Sequence, residues 1–542
     1  MMRALEVKST LVDRLVSYFD PIRGAQRHRA RFVLAMTGGY TGARRDRRQT
    51  SEWKTTSGSA DADLLPDRAQ LVNRSRDLSR NAPLASGAIN TVVTNVVGTG
   101  LIPQAMIDRE LLGLSDEGAD TWQRTAEREW WLWALTRDCD AERTLDFCAM
   151  QDLVFRSQIE SGDVFALRRY IERPGNPYGL KIQVIEADRI ENPNFRADRS
   201  KLENGNLVAG GVEIDGDGAP VAYHVLDQHP GEIYGAGARK WSRVPAFGPE
   251  TGEWLMLHLF RKLRPAQRRG APYLASVIEA FKQLDKYTEA EVMAAVVSAM
   301  FTVFVKTESG TGLGTLEPTA ETGAKTSDKD IKLASGAIWD LAKGESIEVA
   351  NPGRPNQAFD PFVNAILAQI GTALEIPFEL LIKRFMSSYS AARAALLEAW
   401  KAFRTRRAWL AWNFCQPVYE AVITEAVARG RISAPGFFAD PLIRQAWLGC
   451  EWTGPPPGQI DPEAEINAAK ERVDLGVSTL QRETAEISGA DWEALHKQRA
   501  REKRMRVADG LEADASPGES PTPAAPPRDT PARRERTISR AT

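Results

Sequence analysis

At 542 residues the chain is long enough for several hydrophobic cores, and its 43% apolar and 26% charged residues are ordinary for a globular protein. A formal net charge of −2 excludes a polybasic nucleic-acid binder, and the longest apolar run, "VMAAVVSAMFTVFV" over Val292–Val305, falls short of the ~20 residues a membrane span needs. Four cysteines, Cys139, Cys148, Cys415 and Cys450, form no Cys-x-x-Cys pair and fit a reducing compartment better than a disulfide framework.

The first twenty residues carry charges throughout and lack an apolar h-region, so neither a secretory signal nor a membrane partner is expected. Leu11–Phe19 fits a short amphipathic helix. The chain then reads as an extended basic arm up to Pro66, broken at Gly38-Gly39 and "SGSADAD". Met1–Lys54 holds twelve Lys/Arg against five Asp/Glu, a balance that suits an anionic partner or a solvated terminus. Helical patterning runs from about Leu64 to Val97, with a turn at Asn81-Ala82-Pro83, and Gly98-Thr99-Gly100 closes it. In "ADTWQRTAEREWWLWAL", Trp122, Ala126, Trp130 and Trp133 recur at three- and four-residue spacings, the pattern of a core-facing stripe. "TLDFCAMQDLVFRSQIESG" continues as helix towards Gly162, a C-cap candidate.

The period then switches. "DVFALRRYIE", "LKIQVIEADRI", "LVAGGVEID" and "PVAYHVLD" are short β-rich runs separated by turn chemistry, which predicts a compact β-domain over about Asp163–His258. Helical signal returns at Pro272 and continues past Met300. Its second half is apolar nearly all round, and Ala290, Ala294, Ala295, Ser298 and Ala299 keep it thin. Small side chains let helix axes approach closely, either between subunits or within one domain. Residues 307–330 are rich in Gly, Thr and Ser, and "SGAIWDLAKGESIEV" reads as two short strands. Helices follow over Phe359–Leu374, Ser390–Gly430 and Pro462–Asp474. From about Asp509 a Pro/Ala/Arg tail offers too little apolar area to offset chain entropy. The fold class is therefore α+β.

No catalytic pattern emerges. There is no G-x-x-x-x-G-K-[ST], and "GTGLGT" at Gly310–Thr315 follows no βα unit. Cys139 and Cys148 have no histidine nearby and read as packing residues. Strand alternation sends His224 and His229 to opposite faces, which argues against a metal site. No G-x-S-x-G elbow occurs, and carboxylates such as Glu289 and Glu291 lie on charged helices. No catalytic, cofactor-binding or metal-binding residue is assigned, and no cofactor is expected.

Several separated stretches carry a resemblance. "RSRDLSRNAPLASGAINTVVTNVVGTG", Arg74–Gly100, is similar to an R-S-R-D-L-x-R-N-x-P … N-x-V-G-x-G signature. "RPAQRRGAPYLASVIEAFKQLDKYTEAEVMAA", Arg264–Ala295, contains an Arg-Pro-x-Gln-x-Arg-Gly block and the helix after it. "LAKGESIEVANPGRPNQAFDPFVNAILAQIGTALEIPFELL" with "SSYSAARAALLEAW" is a third match. A fourth is "GPPPGQIDPEAEINAAKERVDLGVSTLQRETAEISGAD". Together, over roughly Tyr40–Leu511, they resemble the portal proteins of lambda-like tailed bacteriophages, the head-to-tail connector family. One departure is at Met386–Ser390, where that family more often has Asn-Tyr-Ser-Ser.

The resemblance implies a portal fold with helical wing and stem, a small β-rich domain and an α/β clip, assembling as a ring, expected to be a dodecamer. Along this chain it implies a basic arm (1–63), a wing (64–263, β-rich from about 163) and a first stem helix region (264–306). A clip (307–356), a second stem helix (357–381) and a tunnel loop (382–390) follow. Wing helices (391–450), a crown-like helical region (451–508) and a disordered tail (509–542) complete the layout. The implied function is a channel at one capsid vertex through which double-stranded DNA is packaged and ejected. The implied partners are the terminase large subunit, major capsid and scaffold proteins and a head-tail connector or adaptor, in a virion assembled in the host cytoplasm. Lys383, Arg384, Ser387, Ser388 and Tyr389 fall on the tunnel loop, as DNA-contact residues or as ordinary surface charges beside a cap at Ser390. Ala290, Ala294, Ala295, Ser298 and Ala299 fall on the stem as inter-subunit packing residues. A non-conducting capsid-associated structural or adaptor protein is the alternative, and an enzyme of the same assembly pathway the third reading.

Overall fold

The computed structural model describes residues 11–36, 48, 50, 52, 53, 55, 57–232, 239–299, 303–307, 345–349, 358–385, 388–458 and 462–511. The chain divides into two units, Met1–Asp63 and Leu64–Thr542.

The first unit holds helices α1 (Leu11–Phe19) and α2 (Pro21–Met36). The second of these replaces much of the extended arm expected from sequence. Asp20 Oδ1 accepts from the Arg23 amide at 3.1 Å and Pro21 follows it, a cap-then-proline start that the run of arginines obscured. Helix α3 (Ala60–Asn81) likewise begins before Pro66, because Ser59 Oγ accepts from the Ala62 amide and Asp61 and Asp63 suit the positive end of the helix.

In the second unit α4 (Pro83–Val96) follows the Ala82 turn, with Ala85, Ala88, Ile89, Val92, Val93 and Val96 all buried. Gly100 sits at φ +109°, and a Cβ there would lie 2.6 Å from Cys148 Sγ, so only glycine closes this segment. Strand β1 (Ile102–Ala105), α5 (Arg109–Leu112), α6 (Asp116–Ala134) and α7 (Phe147–Ser161) come next. Ser115 and Asp146 cap the last two. The tryptophan stripe of α6 is core: Trp130 packs against Trp133, Phe147, Tyr419 and Trp452. The Trp133 indole donates to the Leu180 carbonyl at 3.0 Å.

The β-rich part comprises two antiparallel sheets. Strand β2 (Asp163–Tyr170) lies between β3 (Leu180–Ile185) and β9 (Met256–Phe260). A meander runs β4 (Ser200–Lys201), β5 (Leu207–Ala209), β6 (Val212–Ile214), β7 (Pro220–Leu226) and β8 (Trp241–Pro245). Phe165 of β2 packs with Ile185, Ile190, Val212, Tyr223 and Met256 in a second small core. Neither β8 nor β9 stood out in the sequence, since β8 has no clean alternation of burial.

Helix α8 (Ile278–Ala299) is shorter than the helical run expected from Pro272 to beyond Met300. Val303–Thr307 forms strand β10 instead, paired antiparallel with β11 (Glu345–Val349). The β-branched "VFVKT" takes a ladder partner at that point rather than continuing the helix. The first half of "SGAIWDLAKGESIEV", the "GTGLGT" segment and the rest of 308–344 lie outside the described residues, as does the tail from 512. Helices α9 (Phe359–Ala373), α10 (Phe378–Ile382), α11 (Tyr389–Leu410) and α12 (Gln416–Ala428) follow. Between the last two the backbone widens into a π turn at Ala411–Cys415, which accommodates Pro417 one turn on. Then come α13 (Pro441–Trp447), β12 (Cys450–Thr453), α14 (Pro462–Asp474), α15 (Leu480–Ser488) and α16 (Trp492–Ala508). Strand β12 pairs antiparallel with β1, Ile102 opposite Thr453.

Candidate subunit and nucleic-acid interfaces

The block "RPAQRRG" folds inward. Gln267 Oε1 accepts from the Leu263 and Arg264 amides, and its Nε2 donates to the Arg269 carbonyl. This fixes Arg269, 1% exposed, against fully buried Asp163. Arg269 also donates to the carbonyls of Ala187, Ile190 and Gly210 at 2.6–2.9 Å, tying the meander to β2. Arg68 of α3 reaches the same carboxylate at 2.9 Å, and His258 of β9 at 3.2 Å. Burial raises the Asp163 pKa, but Arg269, Arg68 and His258 outweigh it and hold the carboxyl well below its ordinary range. Burial pushes the His258 imidazole down to about 4, so it is neutral at pH 7. The pattern is that of an architectural keystone, with α3, both sheets and the approach to α8 meeting on one carboxylate.

The arginines of the opening segment serve similarly. Arg76 donates to Ser161 Oγ and Asp188 and pairs with Glu186 at 2.8 Å. Glu186, Asp188 and His229 offer ligand atoms within 4.8 Å of one another. The Arg76 guanidinium already supplies the cation for both carboxylates, which removes the charge that would draw a metal. His224 lies apart from this group, beside Glu213. Arg407 donates to the carbonyls of Asn95, Val96 and Pro455, closing the C-terminal end of α4.

Helix α8 changes character along its length. Ile278, Phe281 and Leu284 are buried, and Tyr287 stacks on Phe359 of α9 with centroids 5.5 Å apart. Beyond Tyr287, Thr288, Glu291 and Ala294 are the half-buried residues among those described. Ala290 and Ala295 are exposed, together with Val292 (64%), Met293 (60%) and Val296 (48%). The small-residue set is thus split, with Ala294 on the half-covered row and Ala290 and Ala295 facing solvent. Ser298 and Ala299 belong to the helix, but their side chains are outside the described residues. Sequence reasoning missed Val292, Met293 and Val296 as surface residues, because an apolar run reads as core until its partners are located.

The loop expected at 382–390 is shorter. Ile382 ends α10, a helix not anticipated after Ile376-Pro377, and Lys383 caps it in the left-handed region at φ 54°. The Arg384 amide bonds the Glu379 carbonyl at 3.1 Å. Lys383, Arg384 and Ser388 are exposed, as is Phe385 (56%), which no motif or spacing singles out. Ser387 is outside the described residues. Tyr389 is the first residue of α11 rather than part of a loop, and Ser388, not Ser390, takes the N-cap position, without a side-chain cap bond.

No helix among the described residues is long and apolar enough to cross a membrane. The described residues thus form an α+β chain with a buried ion cluster around Asp163 and exposed apolar side chains on the second half of α8. The sequence profile of the lambda family of phage portal proteins matches residues 46–407, and the chain belongs to that family. It is 27% identical to portal protein B of Escherichia phage lambda over 488 residues, covering 86% of this chain and 89% of that protein. Against the portal protein of Escherichia phage N15 the identity is 26%, covering 88% and 90%. A probable portal protein of Halomonas phage phiHAP-1 is 24% identical, covering 82% and 81%. Among solved structures, a chain from the neck of a native gene transfer agent particle computed with C12 symmetry aligns at TM-score 0.42 and 13% identity. That alignment covers 78% of this chain and 93% of the other.

Proposed function

We propose that this portal-family chain forms a ring, of twelve subunits at the capsid vertex, whose central channel conducts double-stranded DNA during packaging and ejection. The ring would dock the terminase large subunit during packaging and a head-tail connector afterwards, and sit among major capsid and scaffold proteins in the virion. Its role would be structural, with the work of translocation done by the terminase. The observation that carries this reading is the second half of α8. Val292, Met293 and Val296 are about half exposed or more in the single chain, and burying the exposed part of each is worth roughly 1 kcal/mol. Ala290 and Ala295 beside them would let a neighbouring helix approach closely. In the ring α8 and α9 would form the stem, β10 and β11 part of the clip, and Lys383, Arg384 and Ser388 would line the channel with exposed donors that bind phosphate without reading bases.

Electron microscopy of purified full-length protein tests the proposal. Rings with a central hole are expected. Monomers or closed dimers at every concentration would overturn it, and a subunit count on assembled particles fixes the ring number.

A further inference from the structure

The C-terminal helix α16 is strongly basic beyond its first turn. Between Lys497 and Ala508 it carries six cations, Lys497, Arg499, Arg501, Lys503, Arg504 and Arg506, against one carboxylate, Glu502. Its first turn is locally stabilised: Asp491 caps it, and the Trp492 ring stacks on His496 at 5.0 Å. From Leu495 to Arg506 every residue is exposed. Lys497 pairs with Glu493 at 3.6 Å, and Glu502 is engaged by Gln498. Arg499, Arg501, Lys503 and Arg504 have no salt-bridge partner among the described residues.

The spacing sorts these cations into two rows. At about 100° per residue, Lys497, Arg501 and Arg504 share one face at i, i+4 and i+7. Arg499, Lys503 and Arg506 repeat the same spacing on the opposite face. Gln498, Glu502 and Met505 lie between the rows on one side, and His496, Ala500 and Val507 on the other, where Glu493 of the first turn is paired with Lys497. We propose that α16 is a non-sequence-specific duplex-DNA-binding helix that lies in the major groove with one cation row on each phosphate wall.

The dimensions agree. A helix with side chains is about 10–12 Å across, and the major groove about 12 Å wide. Cations on opposite faces therefore meet phosphates on both strands, with the side of Ala500 and Val507 towards the groove floor. An acidic protein surface would engage one row and leave the other solvated. Ala500 leaves no side chain to read a base edge, so the contact would be to backbone and tolerant of sequence, as a moving or packed genome requires.

The inference rests on reading the chain as a DNA conduit, and it is testable apart from the ring. Full-length protein carrying Lys383→Ala/Arg384→Ala, which silences the loop, is titrated with a random-sequence 30-base-pair duplex by fluorescence anisotropy at several salt concentrations. Two triple variants are added to that background, Lys497→Gln/Arg501→Gln/Arg504→Gln and Arg499→Gln/Lys503→Gln/Arg506→Gln. Each is expected to weaken binding at least tenfold and to lower the log–log salt slope by about 2.7, three phosphates at ~0.9 each. Circular dichroism and ring formation should be unchanged, because all six side chains are exposed. Unchanged affinity in both variants overturns the inference, and loss in only one overturns the groove geometry. Binding of poly-glutamate as tight as that of duplex would assign the helix to an acidic protein instead. Rings that form while DNA affinity ignores both rows sink this inference alone, whereas wild-type protein that forms no rings sinks the portal reading.

Discussion

Arg269 and Asp163, 106 residues apart in sequence, meet as a pair with 1% and 0% side-chain exposure. Arg269→Met would leave the carboxylate to Arg68, His258 and the Gly270 amide and strip the carbonyls of Ala187, Ile190 and Gly210 of their donor. Breaking such a buried pair costs about 3–5 kcal/mol. A lower urea midpoint and faster proteolysis near residues 187–210 are expected. The double variant Asp163→Asn/Arg269→Met should be less damaging than the sum of its parts, because each single change strands the other's partner. Wild-type unfolding behaviour in Arg269→Met would show that the cluster does not hold the sheets together.

Glu127 gives a pH dependence of defined sign. It sits in a cleft of about 490 Å³ between α6 and the C-terminal helices, and its Oε1 accepts from the Ala105 amide at 3.0 Å. Burial, with Asp491 and Glu493 nearby, raises its pKa from 4.5 to about 6. The folded chain therefore binds more protons than the unfolded one between about 4.5 and 6, and Glu127 subtracts stability as pH rises through that window. His258, depressed from 6.5 to about 4, does the opposite and adds stability as pH rises from about 4 to 6.5. Glu127→Gln keeps the amide bond and removes the charge. Allowing for solvent screening of this half-buried group, it should stabilise by about 1 kcal/mol at pH 7.5 and be near neutral at pH 4.5 in denaturation experiments. Equal effects at both pH values would contradict the assignment.

Ala295→Leu separates folding from assembly. Because Ala295 is exposed in the single chain, the added bulk should leave monomer stability unchanged. Overpacking between subunits costs typically about 1–3 kcal/mol per site and would recur around a ring. Loss or misclosure of rings by a folded protein is the expected outcome in negative-stain images. Normal rings would remove this face of α8 from the interface.

Lys383→Ala/Arg384→Ala examines the segment between α10 and α11. In rings of verified assembly the variant should package or retain DNA less well, measured as DNA protected from nuclease. Unchanged packaging and retention would leave these two as surface charges.

Much of the fold was legible where a local period coincides with burial. The α6 stripe shows its three- and four-residue spacing in the letters, and Trp130 and Trp133 are core as read. The Asn81-Ala82-Pro83 turn and the Gly162 cap are equally local signals. Other features depend on residues far along the chain. "RPAQRRG" looks like a solvated linker, and nothing in it announces that Arg269 is buried, since its acceptors come from β2, the meander and the turn before it. The apolar run of α8 was visible, yet its exposure depends on where α9 meets the helix, and the ring contacts lie at Tyr287, ahead of Val292, Met293 and Val296. The short helix α10 was hidden because Ile376-Pro377 reads as a break, although a proline is well suited to the start of a helix.

The pairing of β1 with β12 imposes an order in time. Ile102–Ala105 leaves the ribosome long before Cys450–Thr453 exists, and at about 5–20 residues per second the wait is roughly 20–70 s. The α4 carbonyls that Arg407 will satisfy are unpartnered for most of that interval. The nascent chain therefore carries an open strand edge and an uncapped helix end through most of its own synthesis. For a protein made in many copies on neighbouring ribosomes, that edge is where premature contact between unfinished chains would begin, and where a chaperone would do most good.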